Sequence, residues 1–231
     1  MTKRGRIAST SALTAFLVCG VMSAATPAGD LSKYRNFRLG TDLTTIAKQT
    51  EMDPEQAQVI HRRPALIQEL AWHPQPLGTT SRSESVKEVV FSFYAGELYR
   101  IEANYDRYET EGLTTDDIVD SISATYGMAE MVPGQGKAVE GRYGDQEEVI
   151  AQWQDPRYCF ELIRSSYGPS FRLVGVLKRL DVLAQAAILE ATRLDNQEAP
   201  QRDAARIASE DEIVRAKLAQ ARLVNKPNFR P

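Results

Sequence analysis

Apolar residues recur along this chain in two rhythms, one of three and four residues and one of two, and the pair of rhythms occurs twice in the same order. Leu43, Ile46 and Ala47 have the i, i+3, i+4 spacing of a helix face, with Thr41 or Asp42 placed to cap it. Pro54 restarts a short turn expected to run through Val59 and Ile60. A strand is predicted next, with Leu66, Gln68, Leu70 and Trp72 on one side and Ile67, Glu69, Ala71 and His73 on the other. Pro74 to Ser85 is a polar loop, and Val86 to Tyr105 then reads as a hairpin turning at Ala95-Gly96. In its first arm Val89, Phe91 and Phe93 point one way. In its second arm Tyr99, Ile101, Ala103 and Tyr105 point one way and Leu98, Arg100, Glu102 and Asn104 the other. Ala-Gly suits more than one two-residue turn, so the turn type stays open.

The second passage repeats the order. Thr114 is placed to cap a helix that has acids in its first turn, Ile118 and Ile122 one turn apart, and Gly127 as its stop. Val132 to Gly144 carries Gly134, Gly136, Gly141 and Gly144 and is expected to be loop. Strands are predicted at Glu148 to Trp153, Tyr158 to Arg164 and Phe171 to Leu180, joined at Asp155-Pro156 and Tyr167-Gly168-Pro169. A helix after Asp181, with Leu183, Ala184, Ala187, Ile188, Ala191 and Leu194 as its stripe, should pack on the sheet. Beyond Pro200 a second helix is signalled by Ser209 and Glu212, with Val214, Leu218 and Ala221 as a thin apolar seam, and Asn225 to Pro231 reads as a loose end.

The expected fold class is therefore α+β: tandem units of one helix plus a three-stranded antiparallel sheet, with a helical C-terminal tail. Leu43-Thr44-Thr45 parallels Leu113-Thr114-Thr115, and Trp72-His73-Pro74 parallels Trp153-Gln154-Asp155-Pro156. Residues 39–111 form the first unit, 112–198 the second with its following helix, and 199–231 a peripheral tail, after an extended lead-in over 26–38.

Residues 1–25 stand apart from this pattern. Lys3, Arg4 and Arg6 precede an apolar run from Ile7 to Met22 and the small residues Ser23-Ala24-Ala25, the layout of a secretory signal peptide cut after Ala25. The apolar run is short for a membrane span and is diluted by Ser9, Thr10, Ser11 and Thr14. An uncleaved N-terminal anchor is the alternative. Lipidation at Cys19 would need a small residue before it, where Val18 stands. The chain of 231 residues carries a net charge of -3. Cleavage removes three basic residues and no acidic one, leaving 25 basic against 31 acidic residues and a charge of -6. The mature chain keeps only Cys159, so no internal disulfide can form even in an oxidising compartment. The acidic balance also argues against nucleic acid as a partner.

Few residues carry chemistry. His61 and His73 are the only imidazoles and lie in no metal-ligand spacing, so no metal or other cofactor is expected. His61 reads as a helix-end or loop residue and His73 as a strand-end residue. No serine sits in a G-x-S-x-G elbow, and Cys159 lies inside a predicted strand, where a small buried hydrophobe is the usual reading. Pro133-Gly134-Gln135-Gly136-Lys137 lacks the Ser or Thr that a phosphate loop requires after its lysine. The paired acids, Glu147 and Glu148 among them, read as solvated or helix-capping groups. No catalytic residue is assigned. Tyr94, Tyr99, Tyr105 and Tyr108 recur around the hairpin, and Tyr94 lies opposite Val89, Phe91 and Phe93. If the helices of both units share one side of the sheet, the other side presents Glu69, His73, Ser92, Tyr94, Arg100 and Glu102, with Glu161 and Arg172 beyond. A mixed polar and aromatic face of this kind suits protein recognition.

The run Leu39-Gly40-Thr41-Asp42-Leu43 with Ile46, followed by strands and Phe91-Ser92-Phe93-Tyr94-Ala95-Gly96-Glu97-Leu98, resembles the small outer-membrane assembly lipoproteins of the SmpA/BamE type over residues 39–106, and more faintly over 113–180. Its tandem form is similar to the β-lactamase inhibitor protein fold. The chain departs from the lipoprotein pattern in lacking a lipobox. The resemblance implies an envelope protein that binds other proteins through a sheet face without catalysis. The expectation is thus an exported, periplasmic or secreted, non-enzymatic interaction module whose partners are envelope proteins. The alternative is a periplasmic small-molecule or carbohydrate binding protein or hydrolase with its site between the repeats.

Overall fold

In the computed structural model, residues 29–74, 85–131, 138–140, 146–165, 170–228 and 230 are described. The expected signal peptide, the glycine-rich segment around Pro133 to Lys137 and the Tyr167-Gly168-Pro169 turn lie outside them. The lead-in is not simply extended. Lys33–Tyr34 (β1) and Phe37–Arg38 (β2) pair as a small hairpin that buries Leu31, Tyr34 and Phe37. Phe37 packs edge-on against Phe91 at 4.7 Å and Trp72 at 5.3 Å, so the segment before residue 39 belongs to the core.

Helix α1 (Leu43–Gln49) starts where expected, with the Asp42 carboxylate accepting from the Thr45 backbone N–H. Val59 and Ile60 do not continue a helical turn. The Pro54–Gln56 3₁₀ turn ends at Ala57, and Gln58–His61 is a strand (β3) paired with β4 (Ile67–Trp72). The alternating, β-branched Val59-Ile60 pair suits a strand better than a turn, and His61 accordingly lies in a strand rather than at a helix end.

The hairpin forms as β5 (Val86–Tyr94) and β6 (Glu97–Tyr105). Ala95 and Gly96 both have positive φ, 49° and 85°, which selects the mirror-image type I′ turn whose twist matches the strands. One expected alternation fails. Ser92 opposes Arg100 but Phe93 opposes Leu98, so Tyr99 is an extra residue in a β-bulge. The bulge turns Leu98 into the main core beside Ile101, while Tyr99 points to the opposite face.

Helix α2 (Thr115–Tyr126) begins with a reciprocal capping box between Thr114 and Asp117 and stops at Gly127, φ 92°. Then come β7 (Glu130–Met131), β8 (Ala138–Glu140), β9 (Gln146–Gln154), β10 (Tyr158–Ser165) and β11 (Phe171–Leu177). The strand β8 lies inside the stretch expected to be loop and pairs with β9. Asp155 shapes the β9–β10 turn by accepting from the Arg157 and Tyr158 backbone N–H groups at 2.6 and 2.7 Å. Among the described residues nine strands form one antiparallel sheet in the order β3-β4-β5-β6-β11-β10-β9-β7, with β8 also on β9.

The molecule is α+β, a large antiparallel sheet with a long C-terminal helix. The main core lies where the apolar sheet face meets α1, α2 and the lead-in, and it takes in Ile46, Phe91, Ile122, Trp153 and Phe160. Trp153 donates its indole N–H to the Gly127 carbonyl at 3.1 Å, tying β9 to the end of α2. The last strand stops at Leu177, and Lys178–Asn225 is one continuous helix of 48 residues (α3), about 70 Å long. Pro200 therefore does not divide the tail into two helices. It forfeits one backbone hydrogen bond in a solvent-exposed stretch, and Arg202 reaches back across it to donate to the Asp195 carbonyl at 2.9 Å. Flanking Ala, Glu, Gln and Arg residues are strong helix formers and carry the helix through.

Candidate functional site

The six residues expected to share a sheet face do share one, but that face is not open across the hairpin. The start of α3 lies over it, packing Leu180 and Ala184 on Ile67 and Tyr99, with Tyr94 and Ile188 at the margin. The helices therefore do not keep to one side of the sheet. Tyr94 becomes a half-buried packing residue beneath α3, and burial pushes the Tyr99 hydroxyl pKa up. Ser92 is 3% exposed and Glu102 7%, so neither presents itself to a partner.

The polar residues of this face join across strands into a charged row. Glu69 is half-buried and accepts from the Ser92 hydroxyl at 3.4 Å. Arg100 meets Glu102 at 3.3 Å, and Arg172 on β11 meets the other Glu102 oxygen at 3.0 Å while also donating to Glu147 on β9. His73 falls in a separate group: it is exposed and sits 3.5 Å from Glu88, which also accepts from Asn104 at 3.2 Å. Arg172 is central to the row because its guanidinium fork serves two buried carboxylates at once, geometry that lysine could not supply. Glu147 is 7% exposed and is not the solvated acid that its neighbour Glu148 suggests. The pairing joins β11 to β9 across β10, a register that no local pattern encodes.

Asp181 extends the polar cluster. It lies in the first turn of α3 near Arg100, its Oδ1 buried without a hydrogen-bond partner among the described residues, and burial raises its pKa. Cys159 is buried beside Gln152, and burial with the nearby Glu161 charge pushes its thiol up to about 11. Such a thiol stays protonated at neutral pH and is a poor nucleophile. Among the described residues no three His, Cys, Asp or Glu side chains converge as a metal ion would need. A polar groove of about 360 Å³ opens at the β6–β11 junction, lined by Lys87, Glu88, Glu102, Asn104, Glu147 and Arg172 among others.

The second candidate site is the segment whose sequence marks it as a peripheral tail. From Gln201 to Asn225 every residue of α3 is exposed, including Ile207, Ile213, Val214, Leu218, Leu223 and Val224. Among the described residues the last anchor to the body is Arg63, which holds Glu198 and lies 4.0 Å from Asp195. Beyond it the helix stands as an arm. No helix among the described residues is long and apolar enough to cross a membrane.

No protein-family model, no curated protein and no solved structure matches this chain.

Proposed function

We propose that this is an exported, non-enzymatic cell-envelope protein, periplasmic or secreted after removal of residues 1–25, that works by binding other proteins. The observation that carries the reading is the arm: some 25 consecutive helical residues exposed on every side, with six large aliphatic side chains among them. Helices of soluble proteins are stabilised mainly by what they pack against, and the arm packs against no other described residue. We take the arm as the binding surface in preference to the sheet face around Ser92 and Glu102, which are buried. The tandem reading is supported by the sheet order, where β4-β5-β6 and β9-β10-β11 meet at the β6–β11 pair with Trp72 and Trp153 on corresponding strands. The Leu-Thr-Thr parallel does not support it, because Leu43 follows its helix cap and Leu113 precedes its own. The likeness to the outer-membrane assembly lipoproteins remains part of this proposal.

The test is photo-crosslinking in native envelopes from Ala216 or Leu223 on the arm, with exposed Asp116 on α2 as control. Discrete envelope proteins should be captured from the arm positions and not from Asp116; equal capture, or none from the arm, overturns the reading. The groove at the β6–β11 junction favours a second reading, a small polar ligand held between the halves. Its test is a shift in melting temperature on adding sugars or polyamines, abolished by Asn104→Leu.

A further inference from the structure

We infer that the exposed half of α3 pairs with the same segment of a second copy of this chain, running antiparallel about a centre between Glu212 and Ile213. The inference rests on the arm being an interaction surface and names one occupant of it. Ala204, Ile207, Asp211, Val214, Leu218 and Ala221 alternate in steps of three and four, the a and d spacing of a coiled-coil seam. Within that seam Ile207, Val214 and Leu218 are 51%, 53% and 65% exposed, so no other described residue covers the stripe.

Charge decides the partner and its direction. Residues 201–213 hold Arg202 and Arg206 against Asp203, Glu210, Asp211 and Glu212, whereas residues 214–226 hold Arg215, Lys217, Arg222 and Lys226 and no acid. Antiparallel pairing lays the acidic half on the basic half. The a-to-d layers then set Ile207 on Leu218, Ala204 on Ala221 and Asp211 on Val214, each from opposite copies, with Asp211 beside Arg215. Glu210 and Lys217 occupy facing g positions, so the pair of ion contacts forms twice by symmetry. Parallel pairing would keep one kind of ion contact, Glu210 on Arg215, but would set Asp211 against Asp211 in the seam and Lys217 against Arg222 on its flank. The overlap runs from Pro200 to Asn225, about 39 Å, and ends just beyond the Arg63–Glu198 anchor, so the two bodies sit at opposite ends of the rod. Ile213 and Leu223 face outward from this pair and stay available to a further protein.

The test is sedimentation equilibrium on the full chain with Cys19→Ser. A dimer is expected. Glu210→Lys and Lys217→Glu should each weaken it about tenfold, and the two together should restore it. Orientation is read from disulfides. Glu210→Cys chains mixed with Lys217→Cys chains should crosslink, and neither should crosslink with itself. Circular dichroism confirms that each variant keeps its helix. A monomer at every concentration, failure of the double reversal to restore association, or self-crosslinking as ready as mixed crosslinking overturns the inference. A monomer that still captures envelope proteins from Ala216 or Leu223 removes this inference alone. A dimer that captures nothing leaves it standing and removes the envelope reading.

Discussion

The ring of Phe160 lies against Gly175, its direct partner across the β10–β11 ladder, so closely that a Cβ on Gly175 would sit 2.3 Å from a ring carbon. The same ring stacks on Tyr126 of α2 at 4.6 Å, and it is 1% exposed. The glycine is thus required by close approach, and it lets one aromatic side chain bind sheet and helix together. Gly175→Ala should destabilise the fold by about 2 kcal/mol through overpacking, read as a lower urea midpoint with an unchanged slope. Phe160→Leu combined with it should cost less than the two single changes added, since the smaller side chain clears the new methyl. Strict additivity would count against the contact.

Arg172 is the cation shared by Glu102 and Glu147, and all three side chains are less than one-sixth exposed. Arg172→Met should cost about 3 kcal/mol, because it strips a buried pair of carboxylates of the charge they share. The triple variant Arg172→Met, Glu102→Gln, Glu147→Gln should recover most of that loss. Thermal unfolding of the four proteins checks this, and a triple variant no more stable than Arg172→Met would assign the loss to packing instead.

How far these features were legible depends on the range of the interaction that sets them. Helix α2 was readable because Thr114, Asp117, Ile118, Ile122 and Gly127 all lie within one short segment and agree. The hairpin was readable for the same reason. Tyr99 was not, because a bulge is a property of two strands in register, and the period-two pattern of β6 alone is equally satisfied with Tyr99 on either face. The Arg172–Glu147 pair joins strands separated by a third strand. Pro200 misled because its penalty is local and fixed at about 3 kcal/mol, whereas the helix formers on both sides of it act together. The polar composition of 199–231 and the thin seam of Val214, Leu218 and Ala221 mark a peripheral segment, but a seam alone does not say which molecule, if any, covers it.

Asp181 gives the fold a pH dependence of definite sign. Its pKa is raised above the ordinary 3.8, chiefly by burial, with Arg100 and Gln185 acting the other way. A carboxyl raised in the folded state stabilises it most when protonated, at and below the unfolded value, and that contribution is lost as pH rises through the folded value. Asp181→Asn should therefore melt above the wild type at neutral pH, and the gap should close as pH falls toward about 4. Melting curves of both proteins across that range provide the check. A gap independent of pH would mean that the charge on Asp181 costs nothing where it lies.

The arm should be thermodynamically separate from the body that carries it. The buried residues of α3 are Leu180, Ala184, Ala187 and Ala191, and the Arg63 contacts end at Glu198. A chain ending at Ala199 keeps all of these, and every described residue it loses is exposed. It should show the same near-ultraviolet spectrum and a melting temperature within about 2 °C of the full chain, since burial in the body is untouched. Far-ultraviolet ellipticity should fall in proportion to the helix removed. Amide exchange on the intact chain would locate the same boundary, with protection falling between Ala191 and Gln201. If two copies pair through the arm, protection beyond Gln201 should rise with protein concentration while that of β5 and β6 stays constant, because mass action strengthens only the part that association covers.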